Sequence, residues 1–324
     1  MPNRSSIVVF SLSGFNATVK YRNTPALTFL CYFLIIVVNI CLILTIIIEK
    51  KLHEPMYIFL GSLCFNGLYG ATGFYPKFLS DLLSDDHLIS RVGCFVQIYV
   101  IYSNAKIDYS ILVVMAYDRY VAICRPLEYH CVMLKQNIVL FLGLSWLVPL
   151  CCETLVISLS SSLELCGSHI YKLYCENWAV VKLAHCVLLC TAFFIITFYF
   201  CHFLLVTYSY FYIMRTCLTG KEERMKFLQT CLPHLMSFII VAMCLLFDVL
   251  HVRLRSEKMS ESAQNFIAIQ FLLFPPLINP LIYGLKLTKL IITSNCCMSS
   301  LVFRGFSLYF DLSVPQALSS AQHC

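Results

Sequence analysis

Seven stretches of this chain stay apolar for about twenty residues or more, and that repetition restricts the fold more than any other feature. They run over about Pro25–Ile48, Pro55–Leu83, Gly93–Ile123, Ile138–Leu159, Cys186–Met214, Phe227–Leu250 and Ser262–Leu285. A segment of that length crosses a bilayer as a helix. In lipid each backbone N–H and C=O must be satisfied within the segment, which favours helices over isolated strands. Charged residues make up 12% of the 324 positions, against about 25% in a soluble protein. The pattern therefore predicts an all-α membrane protein, a seven-helix bundle with its termini on opposite sides. An N-terminal segment (1–24), a spanning domain (25–285) and a C-terminal tail (286–324) follow from the same boundaries.

The polar residues narrow the class. Net charge is +6, but Lys and Arg are scattered among loops, with no tract suited to nucleic acid. With the N-terminus outside, twelve Lys and Arg fall on the cytoplasmic side and nine outside, the expected direction of bias. Asn16-Ala17-Thr18 is a glycosylation sequon that would then be lumenal, as would Asn3-Arg4-Ser5. The apolar piece Ile7–Phe10 is too short for a cleavable signal peptide, so the first span is expected to direct insertion. Most of the 19 cysteines lie inside apolar runs, where Cys acts as a small hydrophobe.

Span three ends in Met115-Ala116-Tyr117-Asp118-Arg119-Tyr120-Val121-Ala122-Ile123-Cys124. Ionisable residues at the edge of a span are functional candidates by default. Asp118 can hold Arg119 through a charge-assisted hydrogen bond. Further along, Asn279-Pro280-Leu281-Ile282-Tyr283 places a proline inside span seven, breaking the backbone ladder and leaving a deformable point. Pro55-Met56-Tyr57-Ile58-Phe59-Leu60 opens span two, and Asn39 lies sixteen residues earlier. Lys226, Thr230, Cys231 and His234 form a K-x-x-x-T-C-x-x-H pattern.

Together these motifs resemble the olfactory receptors, a branch of the rhodopsin-like G-protein-coupled receptors, over about residues 8–290. The runs at Leu63–Gly70, Tyr174–Trp178 and Cys231–His234 look like those of fish-type members. The resemblance implies a rhodopsin-type seven-helix bundle with a short cytoplasmic helix after span seven. It also implies a plasma-membrane receptor with its N-terminus outside and its C-terminus in the cytoplasm. Its partners would be a small-molecule odorant, membrane lipid and an olfactory stimulatory G protein that raises cyclic AMP. No cofactor and no enzymatic activity are implied. Asp118, Arg119, Tyr120, Tyr210, His234, Asn279, Pro280 and Tyr283 would be the switch and coupling residues, with Arg119 turning toward Tyr210 on activation. Cys94 would be joined to Cys175 in the outer loop. Cys166 and Cys186 form a second candidate pair, although the family's third loop cysteine sits about one residue earlier, at His185 here. Tyr102, Lys106, Phe194, Phe198 and Asn265 are candidates for the ligand cavity.

Several positions depart from the family. Twelve residues after Pro55, where an aspartate is usual, stands Gly67. Asp108 is left as the remaining acid. It has two readings: part of a weak sodium site, or a hydrogen-bonded group helped by Asn104 on the same helical face. Lys106 is mid-span, where a charge costs roughly 2.5–3.5 kcal/mol. It could bind an acidic ligand group, pair with a protein acid such as Glu153, or snorkel through water. Ile101 stands where amine receptors of the wider superfamily carry an aspartate, which argues against an amine anchored in that manner. Ala242 replaces a common aromatic, with Phe238 and Phe247 available to fill the space. Asp248 could line the cavity or pair with Arg253 or Arg255. Cys296-Cys297 are juxtamembrane, either lipidated or free thiols. Met298–Cys324 matches nothing characteristic of the family. A transporter or channel would show repeats and several midplane acids, and an intramembrane enzyme would show a metal or nucleophile constellation. Neither pattern stands out, and a receptor that signals weakly is the nearer alternative.

Overall fold

The computed structural model describes residues 9–13, 24–84, 86–162, 168–170, 172–175, 188–217, 231–254, 269–270 and 272–284. Among the described residues, seven helices longer than ten residues carry the bundle: α1 (Thr24–Ile48), α2 (Pro55–Leu83), α3 (Arg91–Cys124), α4 (Lys135–Ser161), α5 (Leu188–Cys217), α6 (Leu232–Leu254) and α7 (Leu272–Gly284). By length and composition α1, α3, α4 and Ile196–Thr216 of α5 can each cross a membrane. The apolar stretches described for α6 and α7, Leu232–Leu246 and Leu272–Gly284, are shorter. The short cytoplasmic helix expected after span seven lies outside the described residues.

Local chemistry sets the helix starts. Pro55 opens α2, where its missing N–H costs nothing and its fixed φ suits the first turn. Ser90 caps α3, its hydroxyl accepting from the Gly93 N–H at 3.1 Å. Helix α3 is buried along most of its length, whereas α1, α4 and α5 turn most of their apolar surface outward. Side chains such as Phe29, Phe33, Ile47, Leu147, Phe200 and Phe211 are exposed, as a helix face that meets lipid tails requires.

Close approach of α2 to α3 depends on two glycines. A Cβ on Gly70 would lie 2.5 Å from Asn104, and one on Gly73 would lie 2.3 Å from Val100. Small residues spaced in this way let helix backbones meet where no hydrophobic force drives association.

One apolar cluster occupies the half of the bundle towards the C-terminal end of α3, here called inner, with Leu42, Phe59, Met115, Tyr210 and Tyr283. A second occupies the other end. It is roofed by a small sheet of β1 (Val9–Leu12), β2 (Leu88–Ser90) and β3 (His169–Ile170), in the order β2-β1-β3. Strand β1 runs antiparallel to β2, with Phe10 opposite Ile89, and parallel to β3, with Leu12 opposite Ile170. The strand period of two sends Phe10 and Leu12 inward, and both are buried. The short apolar piece near the N-terminus is therefore partly a strand that plugs the bundle end. The sequence reading contained no strand.

Candidate functional site

At the inner end of α3, the Arg119 Nε donates to Asp118 Oδ2 at 2.9 Å, and its Nη2 donates to the same oxygen. The Asp118 side chain is fully buried. Its second oxygen accepts the Tyr129 hydroxyl at 3.0 Å. Tyr129 begins a one-turn helix, Tyr129–Val132, in the loop after α3. Burial and the neighbouring Asp118 carboxylate both push the Tyr129 hydroxyl above its ordinary pKa, so it remains a donor. Tyr129 was not singled out from the sequence. Its position two residues after a Pro-Leu pair in a polar loop gives no signal of a contact eleven residues back.

A second link joins α5, α6 and α3. The Tyr210 hydroxyl hydrogen-bonds His234 Nδ1, and His234 Nε2 meets the Leu112 carbonyl at 3.0 Å. A carbonyl only accepts, so Nε2 carries the proton and Nδ1 accepts from Tyr210. In this conformation Arg119 points to Asp118 and Tyr210 to His234. Tyr120 stacks edge-on with Tyr212, 6.2 Å between centroids. Asn279 Oδ1 accepts from Ser237 Oγ at 2.6 Å, tying α7 to α6. Pro280 follows in α7, and Tyr283 is buried in the inner cluster.

Between α2 and α3, Asn66 Nδ2 donates to Asp108 Oδ1 at 2.7 Å and to the Asn104 carbonyl at 2.9 Å. Asn104 Nδ2 returns a bond to the Asn66 carbonyl at 2.8 Å. Asp108 is thus hydrogen-bonded, but through Asn66 rather than through Asn104. Asn39 Nδ2 donates to the Ile35 and Pro276 carbonyls, both at 2.8 Å. A cavity of about 10 Å³, lined by Asn39, Gly67, Asp108 and Asn279 among others, lies beside Gly67. That is room for about one water. A sodium ion fits poorly here: there is one carboxylate, and one of its oxygens already takes the Asn66 donor.

The candidate cavity residues divide. Lys106 Nζ forms an ion pair with Glu153 Oε2 of α4, both side chains 1% exposed. The Tyr102 ring centroid lies 5.9 Å from that ammonium. Tyr109 turns elsewhere, packing edge-on against Tyr199 of α5 and Phe238 of α6. Ser110 meets His202 of α5 at 3.2 Å. The side chains of α3 between residues 102 and 110 thus divide between α4 and the α5–α6 side. Phe198 of α5 packs on His202, 4.1 Å between centroids. Phe194 is in the first turns of α5 with its side chain outside the described set, and Asn265, Asn16, Cys166, Cys186, Cys296 and Cys297 also lie outside it. The side chains of Phe247 and Asp248 do too.

At the roofed end, Cys94 of α3 is disulfide-bonded to Cys175, with Cα atoms 5.4 Å apart. The Cys175 N–H donates to Gln97 Oε1 at 3.0 Å. Both cysteines and Tyr174 are buried in the outer cluster.

Comparison with known proteins places the chain in one family. The family model described as "Olfactory receptor" matches residues 28–300. Among curated relatives, Olfactory receptor 5K3 of Homo sapiens is 34% identical over 299 residues, covering 88% of this chain and 89% of the relative. Olfactory receptor 1D2 of Gorilla gorilla gorilla is 32% identical over 297 residues, covering 88% and 92%. Olfactory receptor 5AC1 of Homo sapiens is 33% identical over 297 residues, covering 88% and 94%. The chain belongs to the olfactory receptor family, and its fold is the seven-transmembrane bundle of the rhodopsin-like G-protein-coupled receptors.

Proposed function

We propose that a small odorant binds in the outer half of the bundle, among α3, α5, α6 and α7, and that the inner face then raises cyclic AMP through an olfactory stimulatory G protein. The family is one of odorant-sensing, multi-pass plasma-membrane receptors that couple to G proteins, not of enzymes. The observation that carries the proposal is the Arg119 guanidinium held by Asp118, with Tyr210 turned to His234. That is a resting arrangement of a movable cation. A ligand that binds better to the state with α6 swung outward shifts the population toward it. In that state Arg119 is released toward Tyr210 and the G protein.

The disulfide supports the orientation we propose. Cys94–Cys175 sits at the roofed end, and disulfides persist in oxidising compartments. The sheet therefore faces outward and Asp118–Arg119 faces the cytoplasm, in accord with the Lys and Arg bias. The cavity lining we assign is Tyr102 and Phe198, joined by Phe194 and Asn265. Lys106 is held by Glu153 and contributes an already paired charge.

The test is cyclic AMP in cells expressing the chain with an olfactory G protein, across acidic, neutral and amine water-soluble odorants. A response lost on Tyr102→Ala and Phe198→Ala at normal surface levels is expected. An unchanged response in both variants would move the ligand site elsewhere.

A further inference from the structure

Lys106 lies fifteen residues into α3, about 22 Å from its start and about 27 Å from its end. That places the ammonium near the middle of the helix, far from either end. Glu153 comes from α4, a helix that otherwise presents mostly apolar residues. A charge left alone at such depth disfavours insertion on the order of a hundredfold. Here the two charges meet, each 1% exposed. The Tyr102 ring faces the ammonium at 5.9 Å, where a π-face favours a cation.

The neighbourhood matches a fastening. Trp146 Nε1 of α4 donates to Ser62 Oγ of α2 at 2.9 Å. Tyr69 of α2 and Ser103 of α3 share a hydrogen bond at 2.9 Å. Lipid tails are as apolar as leucine, so apolar contact alone specifies α3–α4 packing weakly. Polar links between helices supply the register.

We propose that Lys106 and Glu153 are a co-inserted charge pair that fastens α3 to α4 and takes Lys106 out of ligand recognition. Each charge is tolerated because the other is present. The proposal stands apart from G-protein coupling, and its first test uses no ligand.

The experiment measures the fraction of full-length chain at the surface of intact cells, through an epitope placed at the N-terminus. Variants are Lys106→Met, Glu153→Gln, the K106M/E153Q double and the reversed pair K106E/E153K. Each single variant is expected to fall by at least about fivefold, since it strands one charge. The neutral double and the reversed pair are expected to recover to within about twofold of the parent. Single variants at parental levels, or both doubles as low as the singles, would overturn the pair as a fastening. A delivered K106M/E153Q receptor that loses only acidic odorants would return Lys106 to the ligand. One that keeps its ligand range supports the proposal.

Discussion

Asp118 accepts from two partners, and each makes a different prediction. Arg119 reaches it from the next residue and Tyr129 from the loop. Replacing Asp118 by Asn removes the charge that holds Arg119, so ligand-independent cyclic AMP should rise. Tyr129→Phe removes one hydrogen bond to a charged group, worth about 1.5–3 kcal/mol, and should raise it less. Basal cyclic AMP normalised to surface receptor checks both, and an unchanged basal level in Asp118→Asn would show that the pair does not restrain the receptor. His234 belongs to the same set. Its protonated Nε2 on the Leu112 carbonyl orients Nδ1 toward Tyr210, so His234→Phe should release Tyr210 and raise basal signalling too.

Among the elements, α2 shows how far sequence reasoning reaches. The span expected at 55–83 is the helix Pro55–Leu83, because a proline at N1 and a largely apolar stretch, interrupted by Asn66, Lys77 and Asp81, define it. Its packing was only half legible. The glycines announce close approach, but Asn66 as the donor to Asp108 depends on the rotation of α2 against α3, which no local pattern encodes. The Lys106 and Glu153 pair was one of two readings for the same reason: a lone lysine in a span demands a partner, while its direction depends on tertiary packing. The three strands were missed because β1 is four residues long and pairs with segments distant in sequence. Strand pairing of that kind leaves no helical or repeated signature. Gly73 offers a test of the α2–α3 interface. Gly73→Val places a branched side chain against Val100 and should destabilise the purified receptor by about 1–3 kcal/mol. Gly143, whose Cβ position meets nothing beyond its own helix backbone within 4 Å, is the control, and Gly143→Ala should leave the thermal midpoint in detergent at or slightly above the parent's. Equal midpoints for the two variants would contradict close packing at Gly73.

For the whole molecule, the two ends do different work. The outer end is closed by the sheet and by a disulfide across 81 residues. In a chain-entropy account a loop of that size is worth about 4 kcal/mol. Cys175→Ser should therefore lower the thermal midpoint and the surface level together, and a receptor with both unchanged would make the bridge dispensable. The inner end keeps the Asp118–Arg119 pair within α3 and a tyrosine–histidine link between α5 and α6. Ligand chemistry is the least legible part, because among the described residues Tyr102 and Phe198 are aromatic and Lys106 is already paired. The most direct test of the account is ligand-evoked cyclic AMP from the parent chain beside Arg119→Ala, at matched surface levels. The account predicts a concentration-dependent rise to at least one water-soluble odorant in the parent and none in Arg119→Ala. An equal rise in both would contradict Arg119 as the coupling residue and, with it, the switch derived from the Asp118 contact.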